Sequence, residues 1–478
     1  MKIEFKTFLP LLILPIILAF LGYYILYPVP LKFDPSMHAE IVNIISIQGY
    51  PNTWQPYANN TFTYTPLFHY LSYIPSVFGL SPVDSVMILG ILIYMLIPIS
   101  TYYLVLSFKK KKQTAFLAAV TISFLPLLGS IFLLGEFPEV LSLLLLTLLL
   151  YSINTKRHFL VSVFTGLTIL SHPFMALVAI ILWLYNFKNL KKEKPKNILF
   201  YILILIIITS FWIPKYIQIM GNAASGTWHN SIYDTQQPYL AFWPANEIQI
   251  FLFGMHVLTP IILPLSIIGF LFTRNKLLRA FYIITLIFTI YHLPYTQLKV
   301  LDLFVIPSSI LAALGLEKII NTSKKHNKHL PKAIAIFFIL LMFSFQVTHF
   351  MHAKAYWVDI EKSPEIPLAE SSLWLRDYNN GFVKIYSEQA PSWVGILSNK
   401  IPLEPYITDL EAYSDEYKEQ LEYRKNINTS ICSSDLVQLE SLLKKHDIRF
   451  LFTKVNLTPD YLNRIHTNRG WNVYEVSL

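Results

Sequence analysis

The sequence predicts an α-helical polytopic membrane protein with about eleven transmembrane segments and a small extracytoplasmic α/β domain at its C-terminal end. Three observations predict it. Of 478 residues, 54% are hydrophobic and 14% charged, and the mean hydropathy of +0.47 is far above what a water-soluble globule of this size needs. Long apolar runs recur through residues 1–350. After residue 350 the composition reverts to that of a soluble domain, with 14 Lys/Arg against 18 Asp/Glu in residues 351–478.

The first run, 8–27, has about 20 apolar residues, enough to cross roughly 30 Å of hydrocarbon at 1.5 Å per residue. It is longer than a signal-peptide core and no small-residue cleavage site follows, so it reads as a retained helix. Further spans are expected at 86–108, 114–134, 138–153, 198–220, 248–272, 280–293, 300–316 and 333–350. Two shorter runs, 159–170 and 174–187, meet at "SHP" and read as a tilted pair or a re-entrant hairpin.

Charge tests that count. With the N-terminus cytoplasmic, alternate connections should collect Lys and Arg, because cationic loops resist translocation. Over residues 1–350, 21 basic residues fall on that side, in runs such as "KKKK" at 109–112 and "KNLKKEKPK" at 188–196; Lys32, Lys215 and Lys299 fall on the other. The net charge of +9 is therefore a topology signal for a multi-pass protein of the cell membrane, and nucleic-acid binding is disfavoured. Asp34, Glu40, Asp84, Glu136, Glu139, Asp234 and Glu247 lie on the outer side, so chemistry that needs carboxylates belongs there. A lone cysteine, Cys432, rules out an intramolecular disulfide and a thiolate metal cluster.

The chain divides into a transmembrane part, 1–350, with a long first outer loop at 28–85, and a soluble part, 351–478. In the soluble part "SSLWLRDY" and "SDLVQLESLLKKH" are helix-like, while "FVKIYSE", "IRFLFTKV" and "WNVYEVSL" are strand-like.

The first outer loop opens with "FDPSMHAE", residues 33–40. Asp34 followed by Pro35 reads as a helix start, with aspartate as N-cap and proline at the first helical position. Met37, Ile41, Ile44 and Ile45 then make one apolar stripe, as expected of an amphipathic helix lying in the interface until Gly49. The following aromatic residues, among them Trp54, Tyr57, Tyr64, Phe68, Tyr70 and Tyr73, suit a headgroup-level belt with or without a ligand.

An aspartate just past the first transmembrane helix, a long outer loop with an interfacial helix, and "YTPLFHYL" returning to the membrane resemble the GT-C superfamily of membrane glycosyltransferases. Protein O-mannosyltransferases, lipid A aminoarabinose transferases and oligosaccharyltransferases are similar in plan. The resemblance covers the layout of the whole chain. Where those enzymes often carry a paired acidic motif, this chain has "DPSMHAE", so Asp34 alone maps directly and metal dependence is left open.

The resemblance implies a sugar donor on a polyprenyl phosphate or diphosphate, the lipid bilayer as its solvent, and a glycan, lipid or protein acceptor at the extracytoplasmic face. Asp34 would be the general base for the attacking hydroxyl, a contribution of typically about 10² to 10⁴-fold. Glu136 is carried over as a second acidic residue, and His38 and Glu40, which the family's motif does not map, are added with Tyr64 as candidate substrate-binding groups. A leaving phosphate needs cationic or donor stabilisation, for which Lys299, Lys215 and His172 are the candidates. Each has a plainer reading. Lys299 also suits snorkelling to headgroups, and His172 also suits a hydrogen-bonded helix break. Glutamates around Pro138 also suit the positive end of a helix. Together Asp34 and Glu136 would be able to hold a divalent cation, although nothing in the sequence requires one.

No Walker A loop, dinucleotide glycine fingerprint or "HExxH" is present, which disfavours a nucleotide-sugar donor and ATP-driven transport. The alternative is a transporter or flippase of a lipid-linked glycan, which would need polar groups spread through the spans and internal symmetry. A third class is a non-catalytic assembly or receptor protein.

Overall fold

The computed structural model describes residues 16, 34–49, 64–108, 110–125, 136–190, 193–210, 212–213, 261–290, 296–324, 329–360, 366–379, 383–388, 391–398, 400–402 and 415–477. They form α1 (Asp34–Gln48), α2 (Leu67–Val77), α3 (Pro82–Ser107), α4 (Lys112–Ser123), α5 (Phe137–Asn154), α6 (His158–Ser171), α7 (Pro173–Leu190) and α8 (Pro195–Thr209). Next come α9 (Ile262–Phe272), α10 (Lys276–Ile290), α11 (Thr296–Ser323) and α12 (Leu330–Ile360). The C-terminal unit holds α13 (Ile366–Tyr378), β1 (Lys384–Ser387), α14 (Pro391–Ser398), β2 (Ile401–Pro402), α15 (Asp415–Ser433), α16 (Leu436–Lys445), β3 (Ile448–Thr453), β4 (Leu462–Asn468) and β5 (Trp471–Val476).

Three described helices are long and apolar enough to cross a membrane: α3, α5 and the 303–323 part of α11. Apolar helices of 10–17 residues add to them at His158–Ser171, Pro173–Phe187, Pro195–Thr209, Ile262–Phe272 and Leu330–Phe345. The expected span 8–27, apart from residue 16, and parts of the expected spans 114–134, 198–220, 248–272 and 280–293 lie outside the described residues, and so does any count of eleven. The helical bundle turns apolar side chains outward, with Leu199, Ile207, Leu271 and Phe337 each more than half exposed. Such a surface suits hydrocarbon.

Local sequence explains the ends. Ser81 caps α3, its hydroxyl accepting from Asp84 N at 3.1 Å, with Pro82 in the first turn. In "SHP", Pro173 disfavours helical backbone at the preceding residue. His172 accordingly sits at φ −154°, ψ 128°, which ends α6 and starts α7. The two helices double back on each other. Trp183 Nε1 donates to Ser162 Oγ at 3.1 Å, and Asn186 Nδ2 lies 3.2 Å from His158 Nδ1 nearer the open end. Both the tilted pair and the re-entrant hairpin expected here are antiparallel, as these two helices are.

α5 packs against α3, α6 and α7, and α11 against α4, α9, α10 and α12. The C-terminal sheet has the order β2-β1-β3-β5-β4, parallel from β2 to β3 and antiparallel around β5. Strand alternation supplies two apolar faces. Ile385, Phe450, Phe452, Trp471 and Val473 meet Leu368, Leu375 and Val394 of α13 and α14. Tyr386, Leu451, Tyr474 and Val476 meet Ile427, Ile431, Leu439 and Leu443 of α15 and α16. Helices therefore cover both sides of the sheet, and α14 also packs on α1.

Candidate active site

The helix α1 begins at Asp34, within a residue of the expected cap. Its surroundings differ from those of a helix lying half in water. The expected stripe does pack as one cluster, Met37, Ile41, Ile44 and Ile45 meeting Leu170 and Trp212. The other side is covered as well, because Ala39 and Val42 join the core shared with α3 and α5. Every residue from 37 to 45 is buried, and exposure resumes only at Ser46. α2, α3 and α14 enclose the helix. His38, Glu40 and Asn43 are therefore withdrawn from solvent.

From His38 a buried run of hydrogen bonds crosses four helices. His38 Nδ1 lies 3.0 Å from His69 Nε2, and His69 Nδ1 lies 3.0 Å from the Thr65 carbonyl oxygen. Thr65 Oγ1 donates to the Ser171 carbonyl at 2.8 Å, at the C-terminal end of α6, where carbonyls lack intrahelical donors. Ser171 Oγ donates to the Pro138 carbonyl at 2.8 Å, in the first turn of α5. Aromatic rings seal the run. Tyr64, Phe68 and Phe137 stand 5.9, 5.5 and 6.3 Å from the His38 ring, centroid to centroid.

This run brings several of the sequence candidates into one neighbourhood. His38 and Tyr64 are in ring contact, and Tyr64 also stands 5.2 Å from His69. His172 follows Ser171, and Glu136 precedes Pro138 by two residues at the N-terminal boundary of α5. The half-buried Glu136 makes no side-chain cap bond, while its carbonyl accepts from Glu139 N and Val140 N, both at 3.1 Å. Glu139 itself is buried in the first turn.

Asp34 lies one turn before His38 on the same helical face. Its side chain, like that of Lys299 in α11, lies outside the described residues, and Lys215 does so entirely. Glu40 points elsewhere. Two positions on from His38, it projects about 200° around the helix. Both its oxygens are buried without a hydrogen-bond partner, and desolvation raises its pKa well above 4.5.

His69 and Thr65 carry the run, and sequence reasoning passed over both. "YTPLFHYL" drew attention for its rings and its return to the membrane, and nothing local ties residue 69 to a histidine 31 positions earlier. Among the described residues no group of three His, Cys, Asp or Glu gathers that could hold a metal ion, and the facing nitrogens of His38 and His69 are engaged with each other.

No model of a known protein family matches the sequence, and no curated protein sequence does. Solved structures do resemble it. ArnT from Cupriavidus metallidurans bound to undecaprenyl phosphate aligns over 99% of this chain and 98% of its own, with TM-score 0.58 and 10% identity. The chain has a GT-C-like fold. The arabinofuranosyltransferase AftD from Mycobacteria shares that GT-C-like fold over 98% of this chain and 40% of its own, with TM-score 0.50 and 12% identity. The Archaeoglobus fulgidus oligosaccharyltransferase aligns over 92% of this chain and 67% of its own, with TM-score 0.49 and 14% identity.

Proposed function

We propose that this GT-C-like chain is a membrane glycosyltransferase that moves a sugar from a polyprenyl-phosphate carrier to a hydroxyl-bearing acceptor at the extracytoplasmic face. The observation that carries the reading is the buried hydrogen-bonded run from His38 to Pro138. It ties the helix that begins at Asp34 to the helix that begins beside Glu136. Fold likeness to ArnT, whose structure holds undecaprenyl phosphate, supports a lipid-borne donor.

In the proposed reaction the acceptor oxygen attacks the anomeric carbon and the bond from that carbon to the phosphate oxygen breaks. The bonding electrons leave with the phosphate, and the hydroxyl proton passes to the Asp34 carboxylate. Lys299 and His172 steady the departing phosphate, and Glu136 assists from the start of α5. The C-terminal unit, docked on α1 through α14, shields this region from bulk water.

The test uses purified chain in liposomes with a polyprenyl phosphate bearing radiolabelled sugar, and host membrane extract as acceptor source. Label should leave the lipid and enter an acceptor, and Asp34→Asn should slow this by about 10² to 10⁴-fold at unchanged melting temperature. Transfer by Asp34→Asn at the wild-type rate would sink the assignment. Movement of intact donor between leaflets without transfer would favour the flippase.

A further inference from the structure

The helix α2 is arranged the wrong way round for water. Its inward side carries His69 and Ser72 with Phe68, all buried. Its outward side is apolar. Ile74, Val77 and Phe78 share one face and are exposed, Phe78 to 84%. Leu80, just past the helix, is exposed as well. No Asp, Glu, Lys or Arg occurs anywhere from residue 41 to residue 83. A helix that faces water puts charge outside and apolar residues inside, so this one is built for an apolar neighbour.

The turn that follows satisfies its own polar groups. Gly79 takes φ +94°, which reverses the chain with no Cβ to clash. Gly79 N donates to Ser76 O at 3.0 Å and Leu80 N to Pro75 O at 3.3 Å, the Schellman arrangement, and Phe78 N donates to Pro75 O at 3.1 Å. Ser76 Oγ donates to Ser85 Oγ at 2.9 Å, and Ser81 Oγ to Asp84 Oδ2 at 2.6 Å. Pro82 has no N–H to place. Donors paired within the turn do not need water, which suits a turn at the headgroup boundary of a bilayer.

Helix lengths set the depth. At 1.5 Å per residue the 11 residues of α2 reach about 16 Å, short of the roughly 30 Å of hydrocarbon, whereas the 26 of α3 reach about 39 Å. α3 is thus longer than the hydrocarbon it crosses, and the exposed Asp84 in its first turn belongs to the headgroup layer. From Asp84 one face of α3 runs through the exposed Ile88, Leu92 and Leu96, each one turn further on. The apolar tip stands at the head of that lipid-facing row.

We propose that the tip at residues 77–80 is a membrane anchor, with Val77, Phe78 and Leu80 seated among the headgroups and first acyl carbons of the leaflet that receives the N-terminal end of α3. Lipid is the partner, because this surface adjoins the row that α3 offers to hydrocarbon. α2 then acts as a strut. Its tip rests in the bilayer and its other end carries Thr65 and His69, so the seating fixes the height of the buried hydrogen-bonded run relative to the lipid. The consequence for turnover rests on the glycosyl-transfer reading, in which that height has to match the anomeric carbon of a lipid-borne sugar.

The experiment measures depth by electron paramagnetic resonance on full-length protein in liposomes. A nitroxide is attached at Val77→Cys, at Phe78→Cys or, as a control on the exposed side of α15, at Lys425→Cys, each combined with Cys432→Ser. Labels at 77 and 78 should relax faster with oxygen, which concentrates in lipid, than with a water-soluble nickel chelate, and the label at 425 should do the reverse. Faster relaxation by the chelate at 77 and 78 overturns the anchor. Protection from both reagents also overturns it, because a protein surface, from a second copy or from this chain, would then cover the tip. Either label decides if the other variant fails to fold.

Val77→Glu combined with Phe78→Glu tests the strut. Transfer from a long-chain polyprenyl-phosphate sugar should slow, and transfer from a short-chain, water-soluble analogue should not, because only the first is held at the membrane. A wild-type rate with the long-chain donor, or equal slowing with both, overturns the height-setting role. The depth measurement needs no turnover, so the anchor and the transferase reading fail separately.

Discussion

Gly269 of α9 and Gly315 of α11 face one another so closely that side chains have no room. A Cβ on Gly269 would lie 1.8 Å from the Leu311 carbonyl oxygen, and one on Gly315 would lie 2.1 Å from that of Leu265. Backbone-to-backbone approach of this kind lets helices in an apolar medium gain dispersion contacts where no hydrophobic effect drives them together. It fixes α9 on the helix that carries Lys299 at its N-terminal end.

Alanine at either glycine should therefore be costly, although it would improve helix propensity by about 1 kcal/mol. The opposing atoms are backbone and cannot step aside, so the loss should reach about 3 kcal/mol. Gly90→Ala is the comparison. Its Cβ would meet Phe137 ring carbons at 2.7 Å, and a side chain can move. Thermal unfolding followed by tryptophan fluorescence should rank Gly269→Ala and Gly315→Ala well below Gly90→Ala. Equal melting temperatures for all three would contradict the close packing.

Thr65→Val should separate the scaffold from the histidine pair. The substitution keeps the shape but removes the donor to the buried Ser171 carbonyl, at a cost of about 1 to 3 kcal/mol. Ser171→Ala should cost less, about 0.5 to 1 kcal/mol, because the Pro138 carbonyl keeps the Ser142 hydroxyl at 2.9 Å. Neither touches the Thr65 carbonyl that orients His69. Both variants should melt earlier than wild type, in that order.

These elements differ in how visible they were in the sequence. α3 and α5 announce themselves as apolar runs behind Ser81 or a proline, and the α6–α7 break follows from Pro173. In the C-terminal unit β3 and β5 are apolar enough to read, whereas the edge strand β4 exposes Asn463, Arg464 and Thr467 and shows no alternation. The burial of α1 on all sides was hidden because α14, some 350 residues later, supplies part of the cover. The same holds for His38 and His69. Periodicity reports which face of an element is apolar, and it carries no information on which distant polar side chain meets it.

Lys400 gives a pH dependence with a definite sign. The side chain is buried in the C-terminal unit, donating to the carbonyl oxygens of Asn379 and Ser398 at the ends of α13 and α14. Burial lowers its pKa from 10.5 to about 8. Between those values the unfolded chain binds more protons than the folded one, so this group's contribution to stability is absent below pH 8 and grows up to pH 10.5. Denaturant unfolding across that window should show a more favourable slope for wild type than for Lys400→Met, which removes the group while other titrations remain. Coinciding slopes would show that Lys400 keeps its ordinary proton affinity.

Glu40 carries the opposite sign and a sharper question. Both carboxylate oxygens are buried without a partner, and desolvation raises the pKa well above 4.5. A raised pKa means that the folded state holds the proton longer than the unfolded one. The resulting stability is complete below pH 4.5 and fades as pH rises through the folded value. Wild type should accordingly lose stability from mildly acidic toward neutral pH relative to Glu40→Gln. Glu40→Leu, which removes an unpaired buried polar group, should be more stable than wild type at neutral pH by about 1 to 3 kcal/mol. Transfer measured on that stabilised variant decides why the carboxyl is there. Lost transfer with gained stability marks a group held at a structural cost for the reaction, as substrate sites often are. Full transfer would show that Glu40 contributes nothing to turnover, and a less stable Leu variant would show that the carboxyl has a structural partner after all.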